Sequence, residues 1–194
     1  NYVIIYLEYE VFLMGLIYAL LLILILACVI GIIYIIYFNK LQDCKVKIDE
    51  AESIIDEALR TKYDTLIKTT NIIKSSIDDN KINFKDLESL KEENISNFDL
   101  ERKLNDSIIL IDKIKEDYKE QTDTKDLRSL NNEIKRADEK ISAAKKYYNK
   151  YVSISNELVR KFPSNIIAKL HGITIKNFFD GKDMNDDILD DFKF

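Results

Sequence analysis

The sequence has few of the residues that punctuate tight turns, with 4 glycines, 1 proline and no tryptophan in 194 residues. Lysine, glutamate, aspartate, leucine and isoleucine are abundant instead, a composition typical of helices. Histidine is equally rare, because His171 is the single one. Zinc sites, histidine-dependent triads and paired Glu-x-x-His di-iron sites therefore lack their parts. The glycines are isolated from one another, so no Gly-rich phosphate loop exists.

Two cysteines are too few for a disulfide framework. Cys28 and Cys44 are sixteen residues apart and would lie ~24 Å apart on one helix, beyond the reach of a disulfide. The segment "LILAC", ending at Cys28, resembles a lipoprotein lipobox. Leu26 is too large for that motif, no basic stretch precedes it and the apolar run continues beyond it, so lipidation is the disfavoured interpretation.

The charges nearly balance, with 29 Lys and Arg against 34 Asp and Glu. Glu8 and Glu10 precede the apolar segment, so the part of the chain from Lys40 onward contains 29 basic and 32 acidic residues. Nucleic-acid binding needs clustered Lys and Arg, whereas these lysines are interleaved with acids. The chain is predicted to bind no nucleic acid.

A run of 28 residues from Val11 to Phe38 carries no charge, and ~20 apolar residues suffice to cross a bilayer. Residues 11–38 are therefore predicted to form one transmembrane helix, with Tyr34 and Tyr37 at the interface. A cleaved signal peptide is the alternative. It is disfavoured because the run is too long, no basic residues precede it and no small-x-small cleavage site follows.

The orientation follows from the positive-inside rule. Residues 1–10 contain no Lys or Arg, whereas Lys40, Lys45 and Lys47 follow the apolar run closely. Residues 1–10 are thus predicted to be a short extracytoplasmic N-terminus, and the soluble domain, residues 39–180, to be cytoplasmic.

Apolar residues recur at helical spacing after the membrane segment. They are Leu41, Ile48, Ile55, Leu59, Leu66 and Ile73. No Gly or Pro interrupts residues 32–80, so the transmembrane helix is predicted to continue into the first helix of a bundle. Asp56, Glu57 and Asp64 lie beside Arg60 and Lys62, which is interpreted as an ion-paired solvent face and not as an acid–base pair.

Residues 78–83 have the composition of a turn, and Asn83 is a candidate cap for a helix bearing Phe84, Leu87, Leu90 and Ile95. A break near residues 94–97 is weakly signalled. A third helix is then predicted from Leu100, Leu104, Ile111, Ile114 and Tyr118, ending at residues 120–124.

The strongest pattern alternates steps of three and four over five heptads, as in bundles and coiled coils. Its members are Leu127, Leu130, Ile134, Ala137, Ile141, Ala144, Tyr148, Tyr151, Ser155, Leu158 and Phe162. Pro163 is predicted to end this helix. Ser164 is then expected to cap a short helix stopped by Gly172, and His171 to bond a free carbonyl there. Tyr147 is expected to be exposed.

The tail, residues 181–194, is rich in aspartate. Such density suggests a calcium loop, but a start at Asp180 or at Asp183 fails to supply both the Gly and the Glu that an EF-hand needs. The tail is interpreted as solvated, acidic and partly disordered.

Two blocks of the sequence carry recognisable motifs. The first is "FNKL", Phe38 to Leu41, followed in register by Ala51, Ile55, Asp56, Leu59, Arg60, Tyr63 and Asp64. The second is Tyr147 to Asp180, with Tyr148, Asn149, Asn156, Phe162, Pro163, Ser164, Ile167, Ala168, Phe178 and Phe179. Both blocks resemble the LemA family of bacterial membrane proteins. Lys62 and Lys145 stand where the family has Arg, and Ile67 or Lys68 where many members have Pro. Residues 80–117 match only in helical pattern.

The resemblance implies an all-α fold, with one N-terminal transmembrane helix followed by an antiparallel four-helix bundle. It implies no catalytic residues, and the sequence contains no recognisable catalytic motif. The expectation is a non-enzymatic scaffold or interaction protein at the membrane, without catalytic, cofactor or metal site. Its expected partners are the lipid bilayer, an unidentified membrane or cytoplasmic protein, and a second copy of itself. An accessory subunit of an envelope enzyme or protease system is the alternative, and an enzyme with a metal or small molecule in its bundle core is a third class.

Overall fold

The computed structural model describes residues 2–77, 83–91 and 95–179, with side chains from residue 10 onward. These residues form helices and connecting loops, and none of them lies in a strand. The helices are α1 (Tyr2–Ser76), α2 (Lys85–Ser89), α3 (Asn97–Asp117), α4 (Lys119–Thr122), α5 (Lys125–Arg160) and α6 (Ser164–Leu170). The expected all-α class is confirmed.

Helix α1 is continuous over 75 residues, so the apolar segment and the charged segment after it belong to one helix. No glycine or proline lies between Ile32 and Ser76 to interrupt its hydrogen bonds. The helix is long and apolar enough to cross a membrane, with a stretch of mean hydropathy 3.3. That stretch has none of its residues buried within the protein.

The chain divides into two compact units. The first contains the chain up to Asp43 together with Asn156–Thr174, which includes α6. Its small core is built from Leu41, Ile167 and Ala168, all buried. Partly buried Tyr37, Phe38, Leu158, Val159 and Ile173 pack around them.

The second unit contains the described residues of Cys44–Ser155 and the segment from Ile175 to Phe179. Its core joins the predicted stripe of α1 to apolar residues of α3 and α5. The buried members include Ile48, Ile55, Leu59, Leu66 and Ile73 from α1, Leu104 and Ile111 from α3, and Leu127, Ile134, Ile141 and Tyr148 from α5. The spacing of apolar residues therefore identified the buried faces of the three long helices correctly.

The predicted seam of α5 is wrong at its last position. Phe162 is 78 % exposed, and α5 already ends at Arg160. The ring of Pro163 disfavours helical geometry at the residue before it. Phe162 therefore lies beyond the end of the helix.

The segment between α1 and α3 holds a shorter helix than expected. Helix α2 ends at Ser89, before Ile95, and its N-cap position is taken by Phe84. The Asn83 carboxamide still accepts the backbone N–H of Lys85 at 3.0 Å. The predicted turn at residues 78–82 lies outside the described residues.

Helix α6 starts differently from what its sequence suggested but ends where it was predicted to end. The Ser164 hydroxyl donates to the carbonyl oxygens of Leu158 (2.7 Å) and Lys161 (2.8 Å), so it satisfies the end of α5 and does not cap α6. At the other end Gly172 has φ +63°. The N–H of Ile173 bonds the Ala168 carbonyl at 2.9 Å, the six-to-one bond of a Schellman motif. The expected Gly172 stop is confirmed.

Candidate functional site

The apolar part of α1 presents an uncovered surface. Every large apolar side chain from Val11 to Ile36 is exposed, for example Phe12 at 70 % and Ile23 at 62 %. Monomeric soluble proteins rarely expose contiguous apolar patches of such size. This stretch is therefore a candidate surface for contact with a medium other than water, such as a lipid bilayer.

An aromatic cluster of Tyr34, Phe38 and His171 joins the end of this surface to the end of α6 in the first unit. The Tyr34 hydroxyl lies 2.7 Å from Nε2 of His171. The His171 ring centroid is 4.6 Å from that of Phe38. The imidazole was predicted to bond a free carbonyl, whereas its Nε2 bonds the Tyr34 hydroxyl. Backbone N–H groups of residues 171–173 bond the carbonyls of Ile167, Ala168 and Lys169.

The motif residues Tyr148 and Asn149 hold the segment after Thr174 against α5 in the second unit. The Tyr148 hydroxyl donates to the Asn177 carbonyl at 3.2 Å, and Asn149 Oδ1 accepts the Phe179 N–H at 2.7 Å. The Phe179 ring meets the Tyr148 ring edge-on with centroids 6.0 Å apart. Lys145 Nζ lies 5.2 Å from the centre of the Phe179 ring. These contacts stabilise the packing of residues 177–179 against α5.

Three tyrosines of this unit, Tyr63, Tyr147 and Tyr148, have a raised pKa. Burial raises the pKa of Tyr148, and the nearby Glu52 carboxylate raises that pKa further. Burial also raises the pKa of Tyr63 and of Tyr147. A tyrosine whose pKa rises is a hydrogen-bond donor and not a base at neutral pH. Tyr147, expected to be exposed, is half-buried edge-on to Tyr151 with centroids 4.7 Å apart.

Lys62 is completely buried, with 0 % of its surface exposed. Its ammonium donates to Asn105 Oδ1 and to Asp138 Oδ1, each at 2.6 Å, and so connects α1, α3 and α5. The prediction that Lys62 belongs to an ion-paired solvent face was wrong. The Arg60–Asp56 part of that face is confirmed, with the two groups 2.9 Å apart.

Sequence spacing contained a signal for Lys62. The residue lies three positions after Leu59 and four before Leu66, so it occupies the same helix face as those core residues. Lys145, the other lysine standing where the resembled family has Arg, also bridges helices, at 3.0 Å from the Glu101 carboxylate. Both cations hold helices together.

No three His, Cys, Asp or Glu side chains group closely enough to hold a metal ion among residues 10–77, 83–91 and 95–179. Cys28 is exposed on α1 and Cys44 is buried. The aspartates of residues 181–194 and the candidate calcium loop at Asp180 or Asp183 lie outside the described residues.

Fold and surface together define an all-helical protein with a candidate membrane helix at its N-terminal end. Ion pairs connect its helices, and residues 177–179 are hydrogen-bonded to α5. A family model described as LemA family matches residues 51–189, more than two thirds of the chain. The chain belongs to the LemA family. The match includes the motif from Tyr147 to Asp180 but begins after Phe38 to Leu41. No curated protein matches the chain.

Proposed function

We propose that this protein is a non-enzymatic scaffold or interaction module, anchored by α1 in the cytoplasmic membrane of a bacterium. The observation that carries the proposal is that α1 has an exposed apolar segment and a buried one. Every large apolar side chain from Val11 to Ile36 is exposed, while Ile48, Leu59 and Leu66 of the same helix are buried in the core of the second unit. The same helix would thereby serve as a membrane anchor and as one of the core helices of a helical domain.

The second unit is proposed to be an antiparallel helical bundle with four helices. Contacts between α1 and α5 support the direction: Lys47 meets Tyr151, Glu57 meets Lys140 and Lys62 meets Asp138. The α5 numbers fall as the α1 numbers rise, as in antiparallel neighbours. The segment containing α2 would supply the remaining helix.

The anchor is proposed to leave this bundle in the cytoplasm. Lys40, Lys45 and Lys47 follow the apolar run, and cytoplasmic flanks carry an excess of such residues. The bundle would present its charged surface to a protein partner, which is either a membrane protein, a cytoplasmic protein or a second copy. Ile109 and Leu110, exposed at 69 % and 44 % on α3, are the apolar residues proposed to anchor that contact.

Photocrosslinking in native membranes tests the proposal. A photoreactive phenylalanine analogue at Leu110 should give discrete crosslinked bands that mass spectrometry identifies, whereas the same group at Ser142, exposed on α5, should not. Only monomers from both sites would contradict a scaffold role. A captured hydrolase that loses activity without this chain would favour the accessory-subunit alternative.

A further inference from the structure

Helix α6 has an apolar face that nothing in the first unit covers. Ile166 and Leu170 lie four residues apart on α6 and are exposed at 53 % and 72 %, and Phe162, two residues before the helix begins, is exposed at 78 %. We call these three residues the α6 apolar face. The opposite side of the helix is already used, because Ile167 and Ala168 are buried against Leu41. The α6 apolar face is thus additional to the core contact.

The position of α6 relative to the anchor is fixed within the first unit. Its terminal His171 bonds Tyr34 at 2.7 Å and packs on Phe38 with ring centroids 4.6 Å apart. Tyr34 lies six residues before Lys40, the first charge after the apolar run, which is ~9 Å along a helix. The end of α6 therefore lies level with the last turns of the apolar run.

The same medium must then cover both surfaces. The large apolar side chains of α1 are exposed continuously up to Ile36, within two residues of the Phe38 ring that His171 contacts. If lipid covers those side chains, its interfacial layer also reaches the end of α6. Aromatic residues and short apolar faces favour that layer, where one side is apolar and the other is wet.

The charges around α6 suit such a position. Residues 156–174 contain Arg160, Lys161 and Lys169 but only one acid, Glu157. Glu157 is paired with Lys161, which lowers the pKa of that carboxyl. Arg160 and Lys169 are exposed. A basic rim beside an apolar face is the pattern of helices that lie in the headgroup region of anionic membranes.

We propose that the α6 apolar face, Phe162, Ile166 and Leu170, inserts into the headgroup–acyl boundary of the bilayer that α1 spans. The chain then has two membrane contacts, a transmembrane helix and an interfacial one. This inference rests on the proposed anchoring by α1.

Depth-dependent fluorescence quenching tests it with the full-length chain. Cys28→Ala and Cys44→Ala remove the native thiols, and a polarity-sensitive fluorophore is attached through Leu170→Cys or Ile166→Cys. Two sites mean that a folding defect in one variant, checked by circular dichroism, leaves the other as a test. The protein is reconstituted in phosphatidylcholine–phosphatidylglycerol vesicles with lipids spin-labelled near the headgroup or at the chain end.

The expected result is blue-shifted emission at both α6 sites, most of which is lost with the headgroup-proximal quencher and little with the chain-end quencher. Ile23→Cys, in the middle of the apolar run, should be quenched by the chain-end label, and exposed Ser142→Cys by neither. Quenching at Ile23 without quenching at Leu170 and Ile166 would overturn the interfacial contact and leave the anchor standing. Blue-shifted but unquenched α6 sites would mean that protein covers the face, which overturns the proposal too. An unquenched Ile23 would instead refute the anchoring itself.

Discussion

At the scale of single residues, the ammonium of Lys62 is a charge buried in the second unit. Moving a charge from water into a protein interior costs several kcal/mol of free energy, and only hydrogen bonds of good geometry offset that cost. Lys62 obtains that geometry from Asn105 and Asp138 at 2.6 Å each. The Asp138 side chain remains 48 % exposed, so the two ends of the pair have unequal solvation.

This inequality predicts unequal effects of mutation. Asp138→Ala leaves a buried ammonium without its counter-charge and should cost about 2–3 kcal/mol of unfolding free energy. Lys62→Met keeps the apolar stem and leaves an aspartate that water can reach, so it should cost less than about 1 kcal/mol. Thermal unfolding in mild detergent, followed by circular dichroism, compares them. Equal losses would contradict the account of Lys62.

Tyr148 gives a pH dependence with a definite sign. Its pKa is raised above 10.0 in the folded protein, so the stability it contributes is complete below pH 10.0 and is lost as pH rises through the folded pKa. Tyr148→Phe should lose about 1 kcal/mol at neutral pH with the bond to Asn177. As the pH rises above 10.0, the melting temperature of the variant should also fall less steeply than that of the wild type. Parallel alkaline curves for variant and wild type would rule out this role.

At the scale of the helices, the apolar periodicity predicted which faces of α1, α3 and α5 are buried, because burying a stripe on each helix requires that spacing. It could not predict which partners the exceptions take. The spacing places Lys62 on the buried face of α1, but the groups that pair with its ammonium come from α3 and α5, 43 and 76 residues further along the chain. His171 bonds Tyr34 across 137 residues, a contact that no local rule contains.

The C-terminal stop of α6 depends on Gly172 at φ +63°. A Cβ there meets no atom within 4 Å, so a substitution acts through backbone strain alone. Gly172→Ala should cost about 1 kcal/mol locally, while Gly172→Asn should cost less because asparagine tolerates this conformation. Amide hydrogen exchange of Ile173 measures it, with about fivefold faster exchange expected for the alanine variant. Unchanged exchange in both variants would show that the glycine is dispensable.

At the scale of the whole molecule, the candidate site was only partly predictable. The apolar run and its length stand in the sequence, and they predict a membrane helix because ~20 apolar residues match the bilayer core. The aromatic cluster at Tyr34 and the α6 apolar face required the fold. In the sequence Phe162 belongs to the heptad pattern of α5, and its exposure follows from where the chain turns at Pro163.

A charge in the middle of the apolar run should impair anchoring. Ile23→Lys places an ammonium at the centre of the proposed span, which costs about 2.5–3.5 kcal/mol on insertion scales. The fraction of protein resistant to alkaline carbonate extraction should fall accordingly. Ile109→Lys, at an exposed site on α3, should leave that fraction unchanged. An equal fall for both variants would point to misfolding.

The most direct test of the account is labelling of single cysteines with a membrane-impermeant maleimide, in intact cells and in inside-out membrane vesicles. Cys44 is buried and would report poorly, so Ser142→Cys and Ile23→Cys are placed in a background without Cys28 and Cys44. The account predicts that Ser142→Cys reacts in inside-out vesicles but not in intact cells, and that Ile23→Cys reacts in neither. Labelling of Ile23→Cys in both preparations would contradict the membrane anchor, and ready labelling of Ser142→Cys in intact cells would contradict the cytoplasmic bundle.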